Sequence, residues 1–203
     1  MIDCCYDPQA WFTWFSGWER CVRKFHDHHG TIEVPLPGII HSMSLSSLAA
    51  SLPVDGRQSP TALAVARGST RLLHSLGFSV VSELPLASGR RADLVALGAD
   101  REVWIVEIKS SIADLRADQK WIDYRRHCDR LFFATTLEVP CELFPSDTGL
   151  IVADAFGAEV VCEAPEHRLH AATRRSMMLA FARVAALRLA ALADPEGPYG
   201  AAI

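Results

Sequence analysis

The chain has 203 residues, of which half are hydrophobic and 22% are charged, and its formal net charge is −4. This length suits one domain, or one domain with an appendage, and this composition is typical of a well-packed core and excludes a disordered chain. The modest negative charge does not indicate nucleic-acid binding, but it does not exclude a local basic groove.

The N-terminal region differs from the rest of the chain. Residues 1–42 hold three of the five tryptophans, half the cysteines and half the histidines, without a clear helical or strand period. Residues 44–59 are rich in Ser and Ala and are typical of a linker. We expect residues 1–59 to be a flexible extension or the product of a start codon assigned too early, with the genuine start near Met43. The alternative is a mobile arm that a partner uses.

Regular patterns begin at residue 59. Ser59 suits a helix N-cap, Pro60 suits the first helical position and Gly77 suits the stop, which predicts a helix over residues 60–76. Strands are expected over residues 78–84, 91–97 and 102–110, and the last two should form an antiparallel hairpin around a turn at 98–101.

The second half of the domain also predicts helices and strands in turn. A helix over residues 112–128, capped by Ser110 or Ser111, should lead to strands over 131–135, 149–153 and 159–163. A final helix over about 171–192 should end at Asp194 and Pro195. The strands on either side of the 112–128 helix should be parallel, with a right-handed crossover. The pattern predicts an α/β domain over residues 60–195, with a mixed central β-sheet flanked by helices and a C-terminal tail over 196–203.

Charged residues end an otherwise apolar strand. Glu107 and Lys109 share one face because side chains alternate along a strand. Burying unpaired charges is costly, and α/β proteins place ligand groups at strand ends of this kind. Asp93 lies on the partner strand of the predicted hairpin, which brings it close to Glu107. We therefore expect one site at this end of the sheet.

Two converging carboxylates favour a divalent cation with oxygen ligands. Mg²⁺ suits them, since it binds one or two carboxylates and keeps waters and substrate phosphate, and Mn²⁺ is a plausible substitute. Such an ion would lower the pKa of a bound water and neutralise phosphate charge. Lys109 would orient or deprotonate that water, or stabilise the transition-state charge. Each residue alone is a common structural residue, and their joint order along the chain carries the hypothesis.

The helix after the site strand carries further candidates. Lys120 and Tyr124 are four residues apart and share a face, with Arg116 near the same stripe. Lysine is scarce, since Lys24, Lys109 and Lys120 are the only lysines in the chain. A basic, hydroxyl-bearing face beside the acids suits DNA phosphate contact, and the alternative is a solvated helix face.

These residues resemble the PD-(D/E)xK nuclease superfamily and, more narrowly, the MmcB family of bacterial DNA-repair proteins. The strings that carry the resemblance are GRRADLVAL (89–97), WIVEIKSS (104–111), KWIDYRRHCDRLFFAT (120–135), GLIVADAFGAEVV (149–161) and APEHRL (164–169). The resemblance covers about residues 60–195. It implies a restriction-endonuclease-like core and a Mg²⁺-dependent DNA endonuclease or exonuclease that acts in repair.

The resemblance also implies roles for single residues. Asp93, Glu107 and the backbone carbonyl of Ile108 would bind the metal, and Lys109 and Lys120 would serve catalysis with them. DNA phosphate contacts would come from Arg91, Tyr124 and Arg116.

Two departures from the superfamily pattern leave an alternative open. Ala92 stands where the motif has proline, and the first helix lacks the usual acid, carrying Arg67, Arg71 and His74 instead. Glu83 is a candidate outer metal ligand, with a surface strand-end glutamate as the alternative. The missing acid favours a second hypothesis, a nuclease-fold subunit that binds DNA or a repair partner without cleaving. In that case residues 1–59 or the final helix would dock the partner.

The remaining expectations concern the compartment. Six cysteines without a C-x-x-C pair favour reduced thiols in a cytoplasm. No apolar run looks long enough to span a bilayer, and the N-terminus lacks the pattern of a signal peptide. We expect a cytoplasmic protein that binds DNA, without a membrane partner. The pattern leaves open the oligomeric state, the number of metal ions and the DNA structure that is bound.

Overall fold

The computed structural model describes residues 59–117 and 121–198, all of which belong to the unit Ala50–Ile203. The expectations for residues 1–58 and for the end of the tail, 199–203, fall outside the described residues. Lys120 also lies outside them.

The described elements follow the predicted order. They are α1 (Pro60–Ser75), β1 (Ser79–Pro85), β2 (Arg91–Leu97), β3 (Val103–Ile108), α2 (Ile112–Ala117), α3 (Trp121–Tyr124), β4 (Arg130–Thr135), β5 (Gly149–Ala153), β6 (Ala158–Cys162) and α4 (Ala171–Ala193). Short 3₁₀ turns lie at Arg125–His127 and Cys141–Leu143.

The strands form one six-stranded mixed sheet in the order β1-β2-β3-β4-β5-β6. The β1, β2 and β3 strands pair antiparallel, β3, β4 and β5 pair parallel, and β6 returns antiparallel to β5. The predicted hairpin and the predicted parallel pair are both confirmed. The chain is therefore an α/β domain, with a mixed sheet flanked by helices.

Helix α1 begins and ends where its capping residues predict. The Ser59 hydroxyl accepts a hydrogen bond from the Ala62 N–H at 3.1 Å, and Pro60 is the first helical residue. The helix stops before Gly77, whose φ of +85° is the left-handed conformation that glycine adopts readily. Farther along the helix, a Cβ at Gly68 would lie 2.2 Å from the Asp154 carbonyl, so α1 packs directly on the β5–β6 turn.

The single helix predicted over residues 112–128 is wrong at its C-terminal end. Ser111 caps α2 by accepting from the Asp114 N–H at 3.1 Å, but α3 ends at Tyr124 and a 3₁₀ turn follows. Cys128 is already extended and 1% exposed. The Asp129 N–H donates to the Val103 carbonyl at 2.7 Å, which begins the alignment of β4 with β3. Tertiary pairing here overrides the local helical pattern.

The sheet has an apolar core on each face. Side chains of β3 alternate between the two cores, as the sequence predicts. One face packs on α4 through Val103, Ile105, Met177, Phe181 and Val184. The other packs on α1 through Val106, Phe132, Ile151, Val65 and Leu73. Glu107 and Lys109 follow Val103 and Ile105 in this alternation, and they therefore lie on the α4 side of the sheet.

Asp129 joins α4 to the end of the sheet where β3 and β4 begin. Its buried carboxylate accepts hydrogen bonds from the Val103 N–H at 2.8 Å, the Leu169 N–H at 2.9 Å and both terminal nitrogens of Arg174 at 2.6 and 2.7 Å. Burial alone would raise the pKa of Asp129, but the bonds from Arg174 and the two N–H groups outweigh it and hold that pKa below its ordinary value. One carboxylate thus joins the start of β3, the start of β4 and the first turn of α4.

Helix α4 corrects the expectation that no apolar run is long enough for a membrane. Ala171–Ala193 has the length and apolar character of a span, with a mean hydropathy of 1.6 and 17% of that window buried. Length and composition are weak evidence, because core helices of globular domains also have them. Here Arg174 binds Asp129, and Arg188 donates to the Ser82 carbonyl at 2.7 Å, which docks the helix on the sheet.

Candidate active site

Asp93 and Glu107 meet at the open end of the β2–β3 hairpin. The last pair of that ladder joins Leu94 to Val106, so the next residues, Asp93 and Glu107, stand opposite each other. The Asp93 N–H donates to Glu107 Oε1 at 3.3 Å, and the Ile108 N–H donates to Asp93 Oδ2 at 2.8 Å. Each of the two carboxylates is therefore held by the backbone of the neighbouring strand.

Lys109 completes the group at the end of β3. The Lys109 N–H donates to the Ala134 carbonyl at 2.8 Å, and the Thr135 hydroxyl donates to the Lys109 carbonyl at 2.7 Å. These contacts with β4 fix the backbone that carries the ammonium group. Glu107 is 2% exposed and Lys109 is 6% exposed, so both charges lie in a region of low water content. Electrostatic interactions are stronger there than at the surface.

The protonation of Asp93 reflects this environment. Burial raises the pKa of Asp93 to about 6, against the opposing effects of the Ile108 N–H and the Lys109 charge. The nearby carboxylates of Glu83 and Asp114 raise that pKa further. A carboxyl group with a pKa near 6 gains much from a cation that stabilises its charged form.

Asp114 is a neighbour of the site that the sequence analysis did not single out. It lies in the first turn of α2, and its Oδ2 accepts from the Ser110 N–H at 3.3 Å. Its charge acts on Asp93 across this turn. An acidic residue three positions after the Ser111 cap, directly beyond the site strand, is the signal that identifies it.

Glu83 lies beside Asp93, on strand β1. The β1–β2 ladder pairs Ser82 with Leu94 and Leu84 with Ala92, which places Glu83 opposite Asp93. Glu83 adopts a φ of +52°, uncommon for a residue with a side chain. Its carboxylate forms an ion pair with Arg91. Its role as an outer metal ligand stays a prediction.

The donor set at this site fits Mg²⁺. Within residues 59–117 and 121–198, no group of three or more His, Cys, Asp and Glu side chains is arranged to hold a metal ion. Two carboxylates, from Asp93 and Glu107, are nonetheless the number that Mg²⁺ commonly takes from a protein, with waters and phosphate filling its other positions. The Ile108 N–H points toward β2, and its carbonyl points the same way, since a strand residue directs both groups to one neighbour.

The candidates for phosphate contact occupy different environments. Arg91 and Arg116 are exposed, Arg91 being paired with Glu83. Tyr124 is only 8% exposed, and its hydroxyl donates to the Arg91 carbonyl at 3.3 Å. This placement gives Tyr124 a structural role, and its contact with phosphate stays a prediction.

The cysteine thiols are not part of the site. Among the described cysteines, Cys128 is buried, and Cys141 and Cys162 are exposed. Burial raises the pKa of the Cys128 thiol to about 12, which suits the expected packing role and not that of a nucleophile.

The chain is an α/β domain with a mixed sheet that carries an acidic pair and a lysine at one strand end, and comparisons with known proteins place it more closely. The family described as DNA repair protein MmcB-like matches residues 50–196. The chain belongs to this family, which confirms the resemblance to the MmcB family drawn from the sequence and gives the chain a role in DNA repair.

A solved structure is similar to the chain. It is described as the SPO1766 protein of unknown function from Silicibacter pomeroyi, with 46% sequence identity and a TM-score of 0.66. The match covers 70% of this chain and 96% of that one. None of the curated proteins matches the chain.

Proposed function

We propose that the chain is a metal-dependent nuclease that hydrolyses DNA phosphodiester bonds during repair. The observation that carries the proposal is that Asp93 and Glu107 each accept a hydrogen bond from the backbone of the other's strand, with the charge of Lys109 acting on Asp93. Membership of a DNA-repair family supports DNA as the substrate. A cytoplasmic location fits this role.

Asp93, Glu107 and the Ile108 carbonyl would hold Mg²⁺, or Mn²⁺ in its place. When bound, the ion would supply a Lewis acid for the phosphate and a water of lowered pKa. Glu107 and Asp93 are oriented by backbone N–H groups, so little reorganisation is needed to bind a cation. Lys109, held by β4, presents a point charge to the phosphate oxygens or orients the attacking water. Lys120 stays a further predicted catalytic residue on the neighbouring segment.

A second candidate is a nuclease-fold subunit that binds DNA or a repair partner without cleaving it. Two observations favour it: helix α1 carries no acidic residue in its first turn, and the described residues hold no three-ligand metal cluster. Arg71, on the same helix, instead donates to the carbonyls of Ala155 and Phe156 at 3.1 and 2.9 Å. That contact makes its position structural.

The decisive experiment offers the protein plain duplex, single-stranded, branched and damaged DNA with Mg²⁺ or Mn²⁺. We expect metal-dependent cleavage of at least one substrate, and its loss in Asp93→Asn and Glu107→Gln. Glu159→Gln is the matched control, because Glu159 is an exposed strand glutamate at the far edge of the same sheet. Circular dichroism and thermal melting establish that each variant folds.

The two candidates give different results. Lack of cleavage on every substrate, combined with salt-dependent DNA binding that survives Glu107→Gln, would establish the non-cleaving subunit. Cleavage that persists unchanged in both site variants would come from elsewhere and would refute the proposed site.

A further inference from the structure

A basic groove lies beside the first turn of α4. Its cavity has a volume of about 450 Å³. Arg125 and Arg126 from the 3₁₀ turn line one side, and His167, Arg168 and His170 line the other, together with Leu169 and Thr173. The lining therefore contains three arginines, two histidines and no acidic residue. Such a concentration of positive charge is local, since the chain as a whole carries −4.

Arg125 is the half-buried arginine of the groove. Its guanidinium lies 5.5 Å from the centroid of the Trp121 ring, a cation–π contact. It also contacts the ring of His167 and pairs with the exposed Asp147 at 3.3 Å. These partners hold Arg125 in one place. Asp147 offsets one positive charge of the groove and leaves the other two guanidinium groups uncompensated.

Arg126 and Arg168 face solvent at the rim. Both side chains are exposed, and within residues 59–117 and 121–198 neither has a hydrogen bond or an ion pair. Holding like charges near one another is unfavourable unless an anion joins them. The Asp129 carboxylate nearby offers no compensation, because Arg174 and two backbone N–H groups already bind it.

The first turn of α4 adds an independent preference for anions. The helix has 23 residues, its N-cap is His170, and the His170 side chain makes no capping hydrogen bond. No acidic residue lies in the first turn, and Thr173 in that turn lines the groove. A helix N-terminus carries partial positive charge and N–H donors, which favour a bound anion.

The groove is separate from the candidate active site. It adjoins Asp129 and the N-terminal ends of β3 and β4, whereas Asp93, Glu107 and Lys109 lie at the C-terminal end of β3. Six residue steps from Val103 to Lys109 separate the two ends by roughly 20 Å at the rise of a strand. That distance equals about six base pairs of duplex DNA.

We propose that this groove binds backbone phosphates of DNA as a second contact, remote from the candidate active site. Exposed arginines around an open groove suit a polymer that runs across the surface, and the DNA-repair family makes DNA the relevant polyanion. The inference does not require the nuclease proposal, because the groove would anchor DNA whether or not the chain cleaves it.

The test measures DNA affinity against salt concentration, without divalent metal, for Arg126→Gln/Arg168→Gln in the full chain. We expect the affinity for duplex DNA at low salt to fall about tenfold and the slope of log K against log salt to become shallower by about two. The matched control is Arg175→Gln/Arg183→Gln. It removes the same charge from two exposed arginines of α4 that do not line the groove.

A second variant separates binding from stability. Thr173→Glu places a negative charge at the start of α4, where it should maintain or raise the melting temperature through the helix dipole. The same charge should weaken DNA binding by repelling phosphate. A protein that melts as the wild type does and binds DNA more weakly supports the groove.

Three results would overturn the inference. One is an unchanged affinity and slope in both groove variants. Another is an equal loss in the control, which would show a diffuse charge effect. The third is tight binding of inorganic phosphate that the groove variants abolish while DNA binding stays intact, which would assign the groove to a small phosphorylated ligand. The binding assay contains no divalent metal and does not depend on cleavage, so a failed cleavage experiment would not change the interpretation of these results.

Discussion

Replacing Asp129 with alanine should destabilise the domain by about 3–5 kcal/mol, the range for a buried ion pair that loses one partner. The structure explains the size of the effect. The variant leaves the N–H groups of Val103 and Leu169 without their acceptor, and it leaves the Arg174 guanidinium without the carboxylate that binds it. Asp129 is 2% exposed, so water replaces these contacts poorly.

Urea unfolding monitored by circular dichroism measures the change. Asp123→Ala is the matched control, because Asp123 forms an ion pair of 3.0 Å with Arg90 in which the two side chains are 42% and 34% exposed. An exposed pair of this kind contributes about 0–1 kcal/mol. Adding Arg174→Leu to Asp129→Ala should recover part of the loss, since it removes the stranded charge. A loss below about 1 kcal/mol in Asp129→Ala would refute the reasoning.

The same carboxylate predicts a pH dependence. The pKa of Asp129 is lowered in the folded state, against about 3.9 in an unfolded chain. Its stabilising effect is therefore complete above the unfolded value and is lost as the pH falls through the folded pKa. The difference in stability between wild type and Asp129→Ala should be constant from pH 5 to 8 and should narrow at more acidic pH.

Three further predictions concern the site and the core. The pKa of Asp93 is about 6 in the folded protein, above its value in the unfolded chain, so the charged form of Asp93 opposes folding. Asp93→Asn should therefore raise the free energy of unfolding at pH 8 by about 2–3 kcal/mol. Thermal melts should show that this gain disappears toward pH 4. Mg²⁺ affinity, measured by isothermal titration calorimetry, should fall as the pH drops below about 6 because Asp93 becomes protonated; affinity independent of pH between 5 and 8 would argue against Asp93 as a ligand. Gly149→Ala should cost about 1–3 kcal/mol by overpacking, since its Cβ would meet the Phe132 ring at 2.3 Å. In Gly157→Ala nothing lies within 4 Å of the added Cβ, so equal losses in the two glycine variants would contradict this account.

Much of the fold follows from local pattern. Ser59, Pro60 and Gly77 bound α1 through capping chemistry that depends only on neighbouring residues. The alternation along β3 decides which side chains face α4, and it places Glu107 and Lys109 on one face. The hairpin turn then brings Asp93 opposite Glu107, because antiparallel register is fixed by turn length.

Errors arose where distant contacts compete with local pattern. The helix predicted to reach residue 128 ends at Tyr124, because Cys128 is buried and Asp129 joins Val103. The same pattern offers Tyr124 as a phosphate contact, which stays a prediction, and only the fold shows that its side chain packs in the core. Helical spacing predicts which residues share a face of the helix, but it does not predict which residues that face packs against.

The sequence by itself determined the α/β class, the strand hairpin and the acidic pair with its lysine, because each depends on periodicity or on a short turn. Only the tertiary structure decided that Asp129 anchors Arg174, 45 residues away, and that Arg126 and Arg168 line one groove. Those partners are far apart in the chain, and their meeting depends on how α4 docks on the sheet. The raised pKa of Asp93 was also decided by the tertiary structure, since it depends on burial and on the charges of Lys109, Glu83 and Asp114.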